Sequence, residues 1–346
     1  MSFIRACSLF LSLWTISSPG AAYVVDVERE YADGVVIASH QIHIPGYPEA
    51  YNGSIVRWNN ELLMTFRITP DRKDKFKSFI GIIKLNNQLV PVGHPQMLHI
   101  RQYVAPGPCR AEDGRLIVVG TRLYLVYSDN PYEKVNRGGF RLYVSELRNI
   151  HGKFEAAYSE RISFFEGEDY NIREKNWTPF EYHGQLLLAY SIEPHRVCRP
   201  RLDGSGLCDN YTLSAHKSGW SWGSVRGGSS AQKVENQFLG FFHSSKQLAS
   251  TQSAAKPMLH YFMGAYTYDA EPPFELREIS QRPIVSDGFY QGPDFVPYWK
   301  PIKAVFPCGY IFDERFIWVS FGKDDHEIWI AKLDKAKLFQ SLVVVK

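Results

Sequence analysis

The sequence predicts an all-β chain, a five-bladed β-propeller, on three observations. A polar turn followed by an alternating apolar and aromatic strand recurs five times. Successive copies lie about 50 to 80 residues apart, the length of a four-stranded blade with generous loops. Helical periodicity is scarce, while aromatic residues make up 14% of the chain, with 8 Trp and 20 Tyr, a composition that suits strands.

The five copies are "RWNNELLMTFR" (Arg57 to Arg67), "GTRLYLVYSD" (Gly120 to Asp129), "YHGQLLLAYSIEP" (Tyr182 to Pro194), "VENQFLGFFHSS" (Val234 to Ser245) and "FDERFIWVSFGKDD" (Phe312 to Asp325). Each carries a turn, such as Asn59-Asn60, His183-Gly184 or Asp313-Glu314, behind an apolar strand, so each reads as a hairpin. The one short helix expected is "DKAKLFQSL" near the C-terminus. A β-sandwich with long loops is the runner-up, disfavoured because sandwich strands are spaced more evenly and closely.

The first residues, "MSFIRACSLFLSLWTISSPGAA", combine an early arginine, a short apolar core and small residues at Gly20, Ala21 and Ala22. They read as a signal peptide over residues 1–22, leaving 23–346 as a single propeller domain in a secreted or periplasmic protein. A buried N-terminal helix is the plainer alternative. A formal charge of +3 over 346 residues gives no basic stripe, which argues against nucleic acid and, after leader removal, against a membrane partner. The partner is expected to be mostly uncharged. Cys7 falls in the leader, Cys198 and Cys208 share a polar loop that a disulfide can close on export, and Cys109 and Cys308 are a distant pair or buried thiols. No spacing resembles a zinc site, so no metal is expected.

In a propeller the residues that follow the inner strands converge on the central funnel. Here these are Arg67, Ser128 and Asp129, Glu193 and His195, His243 and Ser244, and Lys323 to Asp325. In "YNGSIVRWNNELLMTFR" a hairpin brings Asn52 and Arg67 to one end of a blade, an amide and a guanidinium that suit paired sugar hydroxyls; a turn Asn and an edge Arg are the plainer reading. In "CRAEDGR", Glu112 and Asp113 lie between Arg110 and Arg115. Glycoside cleavage needs a placed carboxylic acid, and adjacent strand residues face opposite sides, so only one of the two is expected in the funnel. A solvated charge cluster is the alternative. Lys175 and Asn176 precede a third hairpin, and a lysine there can neutralise a phosphate. Arg226-Gly227-Gly228 lets the backbone approach a ligand, and His243 ends the fourth strand. The sequons at Asn52 and Asn176 carry no glycan if these residues face a pocket; Asn210, in a loop, is the better acceptor.

Taken together, "YNGSI…TFR", "CRAEDGR", "EKNWTPF…YSIEP", "GGSS…FFHSS" and "FPCGYIFDERFIWVSFGKDD" resemble glycoside hydrolase family 130, the β-mannoside phosphorylases and β-1,2-mannosidases, and related propeller mannosyltransferase/phosphorylases. The resemblance covers most of the chain, about one motif per blade. It implies a five-bladed propeller in which Asp113 is the general acid, working through a mannose hydroxyl while phosphate attacks the anomeric carbon. It further implies sugar-binding roles for Asn52, Arg67 and Asp325, and matches the family's Lys-Asn pair to Lys175 and Asn176 and its histidine to His243. Two positions depart from the family: Gly114 stands where the family has proline, loosening the backbone behind the acid, and Asn52-Gly53 replaces Asn-Pro. Arg72 and Lys73 are candidates for phosphate contacts.

The expectation is therefore an inverting, single-displacement enzyme acting on β-mannosides in an oligosaccharide. Asp113 is its acid, Asn52, Arg67, Glu112, Arg115 and Asp325 surround the sugar, and Lys175, Asn176 and His243 line the nucleophile site. No cofactor is expected beyond inorganic phosphate as a co-substrate. The nucleophile stays open between phosphate, an acceptor sugar, and water activated by a carboxylate such as Glu193. A non-catalytic sugar-binding propeller, favoured by Gly114, and a β-mannosyltransferase are the alternatives.

Overall fold

The computed structural model describes residues 24–71, 77–100, 110–130, 139–162, 174–295 and 301–345. The expected leader, Arg72, Lys73 and Cys109 lie outside the described residues. Among those described, no helix is long and apolar enough to cross a membrane.

A five-residue helix, α1 (Val27–Tyr31), and strand β1 (Val36–Ile42) precede a series of antiparallel meanders. The first unit is β2 (Ile55–Trp58), β3 (Glu61–Ile68), β4 (Phe79–Leu85) and β5 (Pro91–Met97), and the second is β6 (Glu112–Val119), β7 (Arg122–Asp129), β8 (Arg141–Ile150) and β9 (Lys153–Ile162). A third unit holds β10 (Thr178–Tyr182), β11 (Gln185–Ser191), β12 (His195–Pro200) and β13 (Cys208–Ser214). The remaining strands form one ten-stranded sheet. One part comprises β14 (Arg226–Gly227), β15 (Gln232–Val234), β16 (Gln237–Ala249), β17 (Pro257–Asp269) and β18 (Leu276–Ser280); the other comprises β19 (Ile302–Phe312), β20 (Phe316–Lys323) and β21 (Glu327–Asp334). The two parts meet where β17 and β19 run parallel over three residue pairs. Helix α2 (Lys335–Ser341) and β22 (Leu342–Val344) end the described chain.

All five expected hairpins are present, as β2–β3, β6–β7, β10–β11, β15–β16 and β19–β20. Their turns explain why. Asn59 and Asn60 take φ of 47° and 62°, and His183 and Gly184 take 48° and 74°, the left-handed pair a tight hairpin needs and Asn and Gly supply at low cost. The expected C-terminal helix is α2, capped by Asp334, whose Oδ1 accepts from Lys337 N. Helix α1 is too short to leave a periodic signal.

Among the described residues, apolar side chains gather in five clusters, each shared by two units. Val56, Leu63 and Ile80 of the first unit pack on Leu116 and Leu125 of the second. Ile117 and Leu142 pack on Trp177 and Leu188 of the third, and Phe180 and Leu187 pack on Phe238 and Tyr268 of the β14–β18 part. Leu239 and Phe241 then meet Val305 and Tyr310 of the β19–β21 part, and Ile328 and Ile330 return to Ile55 and Leu62 of the first unit. The order of contacts is thus cyclic. Each fully buried side chain of this kind contributes roughly 1.5 to 3 kcal/mol, so the stabilising surface lies between units rather than within one sheet. Both ends of the described chain join the large sheet: β1 pairs with β21, and β22 pairs with β18.

Cys198 and Cys208 are free thiols on the adjacent strands β12 and β13, so the disulfide considered from sequence is not formed. Cys308 is a buried free thiol. The stretch around Asn210, expected as a loop, is strand β13, with Asn210 exposed.

Candidate active site

A cavity of about 680 Å³ collects side chains from every unit: Asn52 and Arg67 from the first, Arg110, Glu112 and Asp113 from the second, Lys175 and Asn176 from the third, Arg226, His243 and Tyr261 from the β14–β18 part, and Ile302, Ala304, Phe306 and Asp325 from the β19–β21 part. A second cavity, about 380 Å³, is lined mainly by apolar residues such as Ile55, Leu116, Phe238 and Tyr310. The first brings three carboxyl groups, Glu112, Asp113 and Asp325, together with four cations, Arg67, Arg110, Lys175 and Arg226.

The local backbone explains how these side chains reach the cavity. Asn52, Asp113, Asn176 and Asp325 all have positive φ, at 51°, 54°, 64° and 53°. Left-handed backbone costs least for Asn and Asp among residues with a Cβ, and strained conformations of this kind cluster at functional sites. At Asp113 the distortion is a β-bulge: Glu112 pairs with Ser128 and Arg115 with Val126, so Asp113 and Gly114 together face Tyr127. Strand alternation predicts that Glu112 and Asp113 point to opposite faces. The bulge cancels that alternation, and both line the cavity.

Glu112 is the electrostatic hub. Its Oε1 accepts from Arg67 Nη2 at 2.8 Å and Arg110 Nε at 3.2 Å, and its Oε2 accepts from Lys175 Nζ. Burial pushes this carboxyl up, but Arg67, Lys175 and Arg110 outweigh it and hold the group at about 2. The aromatic ring of Phe140 lies beneath two of these cations, 3.5 Å from Lys175 Nζ and 4.7 Å from the Arg110 guanidinium. Lys175, expected at the nucleophile site, is thereby committed to Glu112.

Asp113 Oδ1 accepts from Asn52 Nδ2 at 2.9 Å and from Arg67 Nη1 at 3.3 Å, whereas Oδ2 receives no hydrogen bond from the described residues. Asn52 Nδ2 also lies 3.3 Å from Asp325 Oδ1. Burial pushes Asp325 above the usual carboxylate range, Arg67 opposes this, and the neighbouring Asp113 adds to it. Arg67 is further fixed over the Tyr51 ring, 5.1 Å from its centroid.

Gly114 does not loosen this arrangement. Its carbonyl accepts from Thr65 Oγ1 at 2.7 Å, and a Cβ there would stand 2.8 Å from Leu125 Cδ1. The backbone behind Asp113 is therefore anchored and closely packed.

Across the cavity, Arg226 pairs with His243 in the β14–β16 ladder. Among the described residues Arg226 has no carboxylate partner, unlike Arg67, Arg110 and Lys175. His243 is buried, and its Nδ1 has no hydrogen-bond partner among the described residues. Burial, then the charges of Arg115 and Arg226, push its pKa down to about 3, so it is neutral at ordinary pH. Its ring lies between Phe306 and Tyr261, at centroid distances of 4.6 and 5.9 Å.

Other expected residues lie elsewhere. Arg115 is 1% exposed and does not line the cavity; it sits behind the wall, donating to backbone carbonyls and to Asn176 Oδ1. Glu193 is exposed and accepts from Ser218 N, outside the cavity. His195 is buried against the Phe274 carbonyl, Asp129 accepts from Arg110 N, Ser244 bonds Trp220 and the Trp222 carbonyl, and Lys323 reaches the Gly288 carbonyl. Tyr261 and Phe306 gave no sequence signal as site residues, since each lies in an aromatic strand like many others. Arg226 was visible only as the neighbour of two glycines.

No protein-family profile matches the chain, and no curated protein does. Solved structures do match over nearly the whole length. A β-1,2-mannobiose phosphorylase from Listeria innocua, in complex with β-1,2-mannobiose, is 15% identical with a TM-score of 0.56, covering 88% of this chain and 93% of its own. A mannose phosphorylase from Leishmania mexicana, in complex with a phosphate ion, is 11% identical with a TM-score of 0.55, covering 90% and 92%. A structure from the GH130 family of mannoside phosphorylases, which contains glycoside hydrolases that target β-1,2 mannosidic linkages in Candida mannan, is 13% identical with a TM-score of 0.59, covering 95% and 98%. The fold of this chain is the fold of the family 130 mannoside phosphorylases.

Proposed function

We propose that the five cyclically packed units are the blades of a five-bladed propeller, and that the cavity at their common end is the active site of a carbohydrate-active enzyme. It cleaves or forms β-mannosidic linkages by inverting, single displacement, with inorganic phosphate as the nucleophile in the cleavage direction. The observation that carries this reading is one cavity in which, among the described residues, Asp113 Oδ2 receives no hydrogen bond and Arg226 has no carboxylate partner.

The proton leaves Asp113 for the departing sugar oxygen, directly or through a sugar hydroxyl. The carboxylate that remains is met by Asn52 Nδ2 and Arg67 Nη1, donors already in place before the reaction and needing no reorganisation. Water as nucleophile needs a carboxylate base on the far side of the sugar. Among the described residues lining the cavity no carboxyl fits that role: Glu112 is held near 2 by three cations, and Asp325 shares Asn52 with Asp113. An anion that brings its own charge requires no such base, and Arg226 beside neutral His243 suits it. Transfer from mannose 1-phosphate to an acceptor sugar is the same step in reverse. Gly114, which favoured a binding protein without activity, is firmly anchored.

The test is release of mannose 1-phosphate from a panel of β-mannosides, with and without phosphate, by the wild type and Asp113→Asn. Phosphate-dependent release that falls by about a thousandfold or more in the variant is the expected result. Equal turnover by both proteins removes Asp113 from the role of acid, and release of free mannose without phosphate replaces phosphorolysis with hydrolysis.

A further inference from the structure

Arg115 is a fully buried cation. Its side chain is among the largest fully buried in the protein, yet among the described residues no carboxylate lies within ion-pair distance. Instead its donors are spread over oxygens of three units: Nε donates to the Gly228 carbonyl, Nη2 to Asn176 Oδ1 at 3.1 Å and the Gly227 carbonyl at 3.4 Å, and Nη1 to the Asp113 carbonyl at 3.3 Å. The guanidinium lies 5.9 Å from the centroid of Phe306, which belongs to yet another unit. Taking a charge out of water is costly without a counter-charge, so a site that retains such a cation uses it for more than packing.

We propose that Arg115 is the positioning residue of the active site, fixing the acid and the nucleophile subsite relative to each other. This rests on the cavity being the active site described above. One end of the guanidinium fork holds the carbonyl of Asp113, whose left-handed turn presents the carboxyl. Another holds the Asn176 amide and the Gly227–Gly228 backbone, which carries Arg226 on its strand. The glycines permit this convergence: a Cβ on Gly227 would stand 2.2 Å from the Asn176 carbonyl oxygen, and one on Gly228 2.7 Å from the Phe241 carbonyl oxygen. A planar fork with five donors spans these partners, whereas an ammonium does not reach them together. The same charge lies behind His243 and helps keep it neutral.

The test compares Arg115→Lys and Arg115→Met with the wild type in mannose 1-phosphate formation, in binding of inorganic phosphate by calorimetry, and in thermal unfolding. Both variants are expected to fold, with kcat reduced about a hundredfold, the cost of misplacing a reacting group by about an ångström. Phosphate affinity should fall about tenfold in Arg115→Met, while KM for the mannoside changes less than threefold in either variant. Lysine, keeping the charge without the fork, should recover phosphate affinity but not kcat. A folded variant with wild-type kcat and phosphate affinity overturns the proposal, as does a loss confined to mannoside KM, which makes Arg115 a sugar contact. Failure of both variants to fold also overturns it, in favour of a role in stability alone. If the wild type processes no mannoside, the assigned reaction falls, and phosphate binding still decides the place of Arg115.

Discussion

Asn52 Oδ1 occupies the space that a side chain on Gly322 would enter: a Cβ there would stand 1.7 Å from it. Asn52 in turn donates to Asp113 and lies against Asp325. The missing Cβ on β20 is thus what allows the amide to reach both carboxyls, and Gly322→Ala must push Asn52 away from them. A stability loss of about 1 to 3 kcal/mol is expected from the overpacking, with kcat falling further than that loss implies. Urea unfolding and steady-state kinetics measure the two separately, and an alanine variant with intact kcat contradicts the relationship.

Glu112 gives an acid-side prediction. Its folded pKa of about 2 lies below the ordinary glutamate value, so its contribution is fully present above about pH 4.5 and is lost as pH falls toward 2. Glu112→Gln leaves Arg67, Arg110 and Lys175 facing a neutral amide. Unfolding free energy should drop by about 3 kcal/mol at pH 6, with the gap between variant and wild type closing toward pH 2. A gap that does not vary with pH contradicts the electrostatic origin of the effect.

His243 and His195 act in a higher window. Burial depresses both, to about 3 and about 4, so in the folded protein they stay neutral while the unfolded chain takes up protons below about pH 6.5. Their contribution is present above that value and is lost progressively as pH falls below it toward the folded values, by about 3 kcal/mol for each by pH 4. His243→Asn should flatten the dependence of stability on pH between 7 and 4, as read from denaturant unfolding. Parallel curves for the two proteins refute the assignment.

Arg226 is exposed and has no carboxylate partner among the described residues, so its removal should affect binding more than folding. Arg226→Ala is expected to raise KM for phosphate by about ten- to a hundredfold, the worth of a charge-assisted hydrogen bond, with a melting temperature close to that of the wild type. Lys175→Ala, which breaks an ion pair with buried Glu112, should instead lower stability as well. If both variants behave alike, the division between a free and a committed cation is wrong.

The hairpins were legible because each is decided locally, by turn residues such as Asn59-Asn60 and by alternation along one strand. Asn52, Arg67, Asp113, Asn176, His243 and Asp325 were legible as cavity residues because they flank or end such strands. The bulge at Asp113 was not, since it reverses the parity that alternation implies and is fixed by the anchored neighbour Gly114. Arg115 lies two residues from Asp113, yet its burial depends on Gly227 and Gly228, over a hundred positions away. Arg226 shows the opposite difficulty. Among the described residues it has no carboxylate partner, which only a three-dimensional arrangement can reveal.

The four left-handed residues, Asn52, Asp113, Asn176 and Asp325, restrict what the cavity can become. At each of them the backbone itself disfavours branched and bulky replacements and tolerates Asn, Asp and Gly. Random mutation there draws from a short chemical alphabet of amides, carboxylates and bare backbone. Directed evolution toward a new sugar should therefore find its useful changes at Tyr261, Ile302 and Phe306, leaving the left-handed quartet in place.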